Sequence, residues 1–369
     1  MEQFNENEFK TNENDFEKFK ILNEAKGFLK GIMNGKNIDI NIYFRIFNTS
    51  MIICQSIPQS DFFIIGLVSL LFDIDNKKIF KSENNENLKL FLKDYEIDED
   101  TLNEIINNIN IISNFNEDNN LKANTLEQCI IMDSIILENF GAIGLAKFFF
   151  EGGKKKLSMF KKEDLEIIKN NERLKEEKIK KKEEEKIKKK FSSKLSQFKE
   201  ENYEDIKPKS IIGKLEEEII QIKNKLYTDK AKLIAMLKQK FMFDFLKEFY
   251  KEIGEKQHIK EIEDKKNKEI EKEINRFTKK KNKELYDLIN QEEEKENIRE
   301  EKKNELETEE EQKKLEEIFE IERGEANLRI LEKKKEIEEK IEEYEKILTK
   351  DNNLDEKNNN NNCITYLES

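Results

Sequence analysis

The chain has 369 residues, 41% of them charged and 36% apolar, with 81 Asp and Glu against 69 Lys and Arg and a net charge of −12. That much charge excludes one packed globule over the whole length, and the acidic balance excludes a general nucleic-acid binder, whose phosphate contacts rest on surplus Lys and Arg. A single histidine, His258, excludes any reaction built on a cluster of imidazoles.

Residues 1–15 are polar and acidic and read as disordered, with neither the apolar core of a signal peptide nor the Arg-rich face of a transit peptide. From there Phe16, Phe19, Leu22, Leu29, Ile32 and Met33 recur at helical spacing up to Gly35, which predicts a first amphipathic helix. A second covers 39–55, with Ile42, Phe44, Ile46, Phe47, Ile52 and Ile53, and stops before Pro58. Ser60 and Asp61 offer a cap to a third helix over 62–72. This segment is apolar almost all round, as expected of a helix enclosed by others, and at about half of the roughly 20 residues needed to cross a bilayer it reads as core. The helical pattern continues over 86–94, 98–112 and 125–150, with Asp98, Asp100 and Thr125 placed as caps, and nothing alternates for long enough to prefer strands.

From Lys154 to about Ser210 the chain turns to Lys and Glu runs, read as a solvated insertion over 154–213. Glutamates intervene throughout the 172–190 run, so it is a solvated helix face and not a nucleic-acid arm. Apolar periodicity returns over 214–253 at Leu215, Ile219, Leu226, Leu233, Leu237, Phe241, Phe245 and Phe249, and rejoins the core. Residues 255–350 are Glu- and Lys-rich, without proline, and predict one long helix, with Ile330, Ile337 and Tyr344 repeating every seven beside Ile341 and Leu348 as a coiled-coil seam. His258, between Gln257 and Lys260, reads as a solvated surface residue. The Asn-rich tail, 351–369, is low-complexity and reads as disordered. Cys54, Cys129 and Cys363 have no metal or disulfide spacing and suit a reduced, cytoplasmic compartment, where they are expected as inert thiols.

One stretch carries a motif. The chain reads Asp133-Ser-Ile135-Ile136-Leu137-Glu138-Asn-Phe-Gly141-Ala142-Ile143-Gly144-Leu145-Ala146-Lys147. It resembles the Asp-x-Asp-x-Leu-(Asp/Glu)-x-x-Gly-Ala-Ile-Gly-Leu-Ala-Arg motif of a bacterial-type branch of the HD-domain superfamily, the all-helical metal-dependent phosphohydrolases, with six consecutive matches at 141–146. A second, softer likeness to the closing helix of that branch lies in 230–252. The resemblance covers roughly 15–153 and 214–253. It implies an all-α, HD-domain-like helical bundle, followed here by the long charged, partly coiled-coil extension.

Carried across residue by residue, the resemblance implies a metal site without its histidines. The first histidine falls on Tyr43, ahead of Phe44-Arg45; the His-Asp pair falls on Phe72-Asp73; a further histidine falls near Ser113; and the closing aspartate is Asp133, while its second aspartate and the basic residue after it become Ile135 and Ile136. Phenylalanine cannot ligate, so Asp73 and Asp133 are vestigial metal positions and Tyr43 and Phe72 lost-ligand positions. Asp73 then serves as a helix cap or as a partner of Arg45, and Gly141 and Gly144 as packing residues. No P-loop, nucleophile elbow or Cys-x-x-Cys pair is present.

The expectation is a non-catalytic scaffold or interaction protein with no cofactor, acting through a protein partner or self-association of the C-terminal helix, with neither nucleic acid nor membrane as partner. Two alternatives remain at this point. One is a divergent phosphohydrolase for nucleotides or other phosphate esters, holding a weak Mg²⁺ or Mn²⁺ at Asp73, Glu138 and Asp133; the other is a structural coiled-coil protein.

Overall fold

The computed structural model describes residues 13–36, 38–77, 79–80, 85–115, 122–191, 207–304 and 309–349. Twelve α-helices and no strand occur among them. The chain divides into two compact units, Met1–Phe249 and Tyr250–Ser369.

The first unit opens with α1 (Glu13–Met33), α2 (Asn41–Gln55) and α3 (Phe62–Leu71). Asp61 caps α3, its carboxylate accepting from the backbone N–H groups of Phe63 (2.8 Å) and Ile64 (3.1 Å). Every residue from Phe63 to Leu71 is buried. Each large apolar side chain hidden this way favours the fold by about 1.5–3 kcal/mol, so this short helix is the centre of the core. Helix α1 lies on it, with Phe19 stacked on Phe62 at 5.0 Å between ring centres, and α2 packs on both α3 and a later helix, α6 (Leu126–Glu138).

Short α4 (Glu86–Leu92) and α5 (Glu99–Phe115) follow, then α6 (Leu126–Glu138), capped by the Thr125 hydroxyl on the Gln128 N–H. The segment read as helical over 125–150 is in fact two helices. It breaks at Asn139 and Phe140, and α7 (Gly141–Lys154) leaves at 64° to α6. No single helix among the described residues is long and apolar enough to cross a membrane; α6 and α7 reach that length only together, across this bend.

The segment 154–213 is less solvated than expected. Helix α8 (Glu163–Phe191) buries Leu165 and Ile168, and Asp164 accepts from the Lys209 N–H (2.9 Å) and the Ser210 N–H (2.7 Å). That carboxylate ties the end of the charged excursion to its beginning, so α9 (Ile211–Gln221) starts at once, with Ile211 and Ile212 already in the core. Residues 192–206 lie outside the described residues. A 3-10 turn (Ile222–Lys225) leads into α10 (Asp229–Glu252).

The second unit corrects two expectations. Residues 255–350 are not one helix but two, α11 (Lys256–Asn304) and α12 (Glu309–Thr349), packed against each other. Arg299 reaches Glu322 at 2.9 Å and Arg323 reaches Glu296 at 2.6 Å, so the end of α11 pairs with the first half of α12 and the two run antiparallel. Of the seam residues, Ile337 is buried and Ile330 and Ile341 are half-buried, joined by Phe319 and Ala326; the side chains of Tyr344 and Leu348 lie outside the described residues.

His258 is not solvated either: it is 2% exposed. Gly254, at φ +81°, turns the chain so that the first turn of α11 folds back on Tyr250. The imidazole lies edge-on to that ring at 4.5 Å, with Nδ1 2.7 Å from Glu261 Oε2. Residues 1–12 and the Asn-rich tail, both read as disordered, lie outside the described residues; α1 begins at Glu13.

Candidate functional site

Helices α2 and α3 bring the first group of aligned positions together. Tyr43, on the buried face of α2, donates its hydroxyl to Asp73 Oδ2 at 3.2 Å, while Asn76 donates to Asp73 Oδ1 at 3.0 Å. The Phe72 ring lies 5.5 Å from that of Tyr43, and the hydroxyl of Ser113 on α5 donates to the Phe72 carbonyl and to that of Ile109. Tyr43, Phe72, Asp73 and Ser113 therefore do converge, as neighbours in one small cluster. Burial, followed by the adjacent Asp73 charge, drives the Tyr43 phenol well above its ordinary range, so it is a permanent donor.

Asp133 does something else. It is 0% exposed on α6, and its carboxylate accepts the Tyr227 N–H at 2.9 Å on Oδ1, and the Thr228 N–H at 2.8 Å and Thr228 hydroxyl at 2.7 Å on Oδ2. Those are the free amides leading into α10, so Asp133 is a capping group supplied from another helix. Burial pushes its carboxyl up to about 6, against the opposing pull of these bonds and of Lys232. Tyr227 and Thr228 lie more than ninety residues further along the chain, and no local pattern could announce them.

Glu138 is the centre of a charged cluster. Arg45 Nε and Nη2 donate to its Oε1 at 2.9 and 2.6 Å, and Lys147 Nζ lies 3.3 Å from the same oxygen. Arg45 also reaches Asp39 at 3.2 Å, so Arg45 pairs with Glu138 and Asp39 where the sequence offered Asp73. The Glu138 carboxylate holds the Arg45 guanidinium above its ordinary range. Beside them Lys238 donates to the Leu137 carbonyl at 2.7 Å, with burial lowering its pKa.

The Gly-Ala-Ile-Gly-Leu-Ala run builds the α6–α7 bend. Gly141 has φ +78°, a left-handed conformation that side chains resist, and its N–H points to Met242 Sδ at 3.3 Å. A Cβ on Gly144 would sit 2.2 Å from the Asn139 carbonyl oxygen. Both glycines thus answer to backbone geometry at the bend, where the sequence reading had assigned helix packing. Of the rest, Leu145 is buried, while Ala142 and Ile143 are exposed, and so is Ala146. Ile135 is buried and Ile136 half-buried.

Among the described residues, no group of three or more His, Cys, Asp or Glu side chains is arranged to hold a metal ion. Cys54 and Cys129 are free thiols, the first pushed up to about 11 by burial; Cys363 lies outside the described residues.

No protein-family model matches the chain, and no curated protein does. Solved structures do resemble it. The Lin1889 protein from Listeria innocua is 22% identical with a TM-score of 0.43, over 64% of this chain and 97% of that one. An HD-superfamily hydrolase from Bacillus thuringiensis is 18% identical with a TM-score of 0.44, over 64% and 98%. YpgQ from Bacillus subtilis, solved in complex with ADP, is 14% identical with a TM-score of 0.43, over 64% and 96%. The described residues are all-helical, and the solved structures they resemble include an HD-superfamily hydrolase, Lin1889 and YpgQ.

Proposed function

We propose that the helical head is a non-catalytic scaffold or interaction module, and that the hairpin of α11 and α12 carries its protein partner or a second copy. The observation behind this reading is where the three carboxylates spend their oxygens. Asp73 is held by Tyr43 and Asn76, both oxygens of Asp133 by the Tyr227–Thr228 segment, and Glu138 by Arg45 and Lys147. A divalent ion would have to displace those donors, and a hard ion such as Mg²⁺ needs near-complete oxygen coordination before it can orient a phosphate ester. The free thiols Cys54 and Cys129 favour a reduced, cytoplasmic setting, and the net charge of −12 speaks against nucleic acid and anionic membrane as partners.

The test is a phosphohydrolase assay on purified chain with Mn²⁺, Mg²⁺ or Ni²⁺ against nucleotides and pyrophosphate, alongside metal analysis. The expected result is no turnover and no bound metal. Turnover that disappears in Asp73→Asn, with the helical signal of the variant intact, overturns the reading.

A second reading, a divergent phosphohydrolase using a weakly held Mg²⁺ or Mn²⁺, draws on one observation. Arg45, Lys147 and Lys238 gather beside Glu138 and Asp39, three cations against two carboxylates, and that surplus suits a phosphate. In the same assay this reading requires turnover to fall in Arg45→Ala.

A further inference from the structure

Helix α12 has two apolar faces. Phe319, Ala326 and Ile337 are buried and fall on one side of the helix; at 3.6 residues per turn Ile321, Leu328 and Leu331 fall on the opposite side, and Ile318 flanks them about a quarter turn from Phe319. That second set is exposed by 52%, 66%, 55% and 63%, in a helix whose other outward positions are almost all charged or polar. A row of four large aliphatic side chains left in water is a cost that solvation alone does not explain.

The row is also symmetrical. Ile318 and Ile321, then Leu328 and Leu331, are spaced three, seven and three apart, so the pattern reads the same from either end about Gly324 and Glu325. The charges around it are not symmetrical but opposite. Residues 316–325 carry five acidic side chains (Glu316, Glu317, Glu320, Glu322, Glu325) and one basic (Arg323), whereas 327–335 carry four basic (Arg329, Lys333, Lys334, Lys335) and one acidic (Glu332). A two-fold operation that reverses the helix direction lays the acidic half of one copy over the basic half of the other, twice, while stacking isoleucine on leucine. Gly324 stands at the centre, with no atom within 4 Å of where a Cβ would lie, which leaves room for two helices to approach. A parallel pairing would instead place acid on acid and base on base.

We infer that α12 is an isologous, antiparallel self-association surface, through which two copies of this chain pair about Gly324. The inference rests on the scaffold reading above and gives the partner of the extension as a second copy. A stripe of about 14 residues is short, so the dimer is weak and its population follows concentration.

Sedimentation equilibrium of the full chain over a wide concentration range tests it, with no turnover measured, so its outcome is independent of the phosphohydrolase assay. The weight-average mass should climb from one chain toward two. The double variant Ile321→Glu/Leu328→Glu alters only exposed positions, keeps its helical signal, and should raise the dissociation constant at least tenfold. Two charge variants, Arg329→Glu/Lys334→Glu and Glu317→Lys/Glu320→Lys, should each weaken pairing, and an equimolar mixture of them should pair about as tightly as the natural chain. A chain that stays monomeric at every concentration overturns the inference. So does a dimer indifferent to the Ile321 and Leu328 changes, or a mixture of the charge variants that does not pair.

Discussion

At the scale of single residues, Asp133, which the sequence resemblance aligned with a metal-ligand position, does architectural work. Its two oxygens satisfy three donors, and the two on buried Thr228 would otherwise be stranded, at about 1–3 kcal/mol for each left unpaired. Its carboxyl titrates near 6 in the fold, above the 3.8 of an ordinary aspartate, because burial outweighs those bonds. The native state therefore holds this proton more tightly than the unfolded chain does. The stability so gained is complete below about pH 4 and is lost as pH rises through about 6, on the order of 2–3 kcal/mol for a shift of this size. Asp133→Asn removes the titration and turns an amide group toward the Tyr227 and Thr228 donors, so the variant should be less stable throughout and should lack this part of the pH slope. Urea unfolding at pH 4.5 and 7 measures both. A natural chain that gains on the variant as pH rises would mean that the three hydrogen bonds, and not burial, set the titration.

Among the elements, the α6–α7 bend makes the sharpest demand on sequence. Gly144 cannot carry a side chain without meeting the carbonyl of Asn139, a backbone atom that can move only if the bend opens. Gly144→Ala should therefore cost about 3 kcal/mol or more, the upper part of the range for overpacked sites. Gly153, near the other end of α7, meets nothing within 4 Å, and Gly153→Ala should be neutral or slightly stabilising, since alanine is the better helix former. Chemical denaturation of the pair separates a geometric need for glycine from a mere tolerance of it; equal losses would remove the argument. The same elements show what the sequence made legible. Period was enough for α2, and period with a cap for α3 from Asp61 and α6 from Thr125, because those signals are local. The bend was hidden inside a continuous apolar pattern, and the hairpin inside a continuous charged one, because hydrophobic period marks which residues face inward and not where a helix reverses. The cluster of Tyr43, Phe72, Asp73 and Ser113 was legible only through resemblance. The roles of Glu138 and Asp133 were not, since their partners arrive from distant helices, and His258 was misjudged because its charged neighbours hide a turn at Gly254 that buries it.

For the whole molecule, the two units are held by different forces, and this predicts how each responds to its surroundings. The first unit is centred on α3, with nine successive residues buried, and such burial does not depend on charge screening. The second has long helices, on the order of 60–70 Å at 1.5 Å per residue, with few buried apolar side chains along them. Among its crossing links are two ion pairs, Arg299 with Glu322 and Arg323 with Glu296, the second arginine also held by Glu316 of its own helix. Arg323 and Glu296 are each about one-third exposed, at 35% and 31%, so salt reaches them, and at 1 M the screening length falls to about 3 Å. Amide hydrogen exchange at low protein concentration, where pairing between copies is minor, should find α3 protected to the limit of global unfolding and α12 opening much more readily. Raising the salt to about 1 M should lower protection between Phe319 and Ala326 and leave α3 unchanged or slightly better protected. If α12 instead gains protection with salt, its apolar seam outweighs the arginine network in holding the hairpin closed. If both units exchange together at every salt concentration, they unfold as one, and the division at Phe249 has no energetic counterpart.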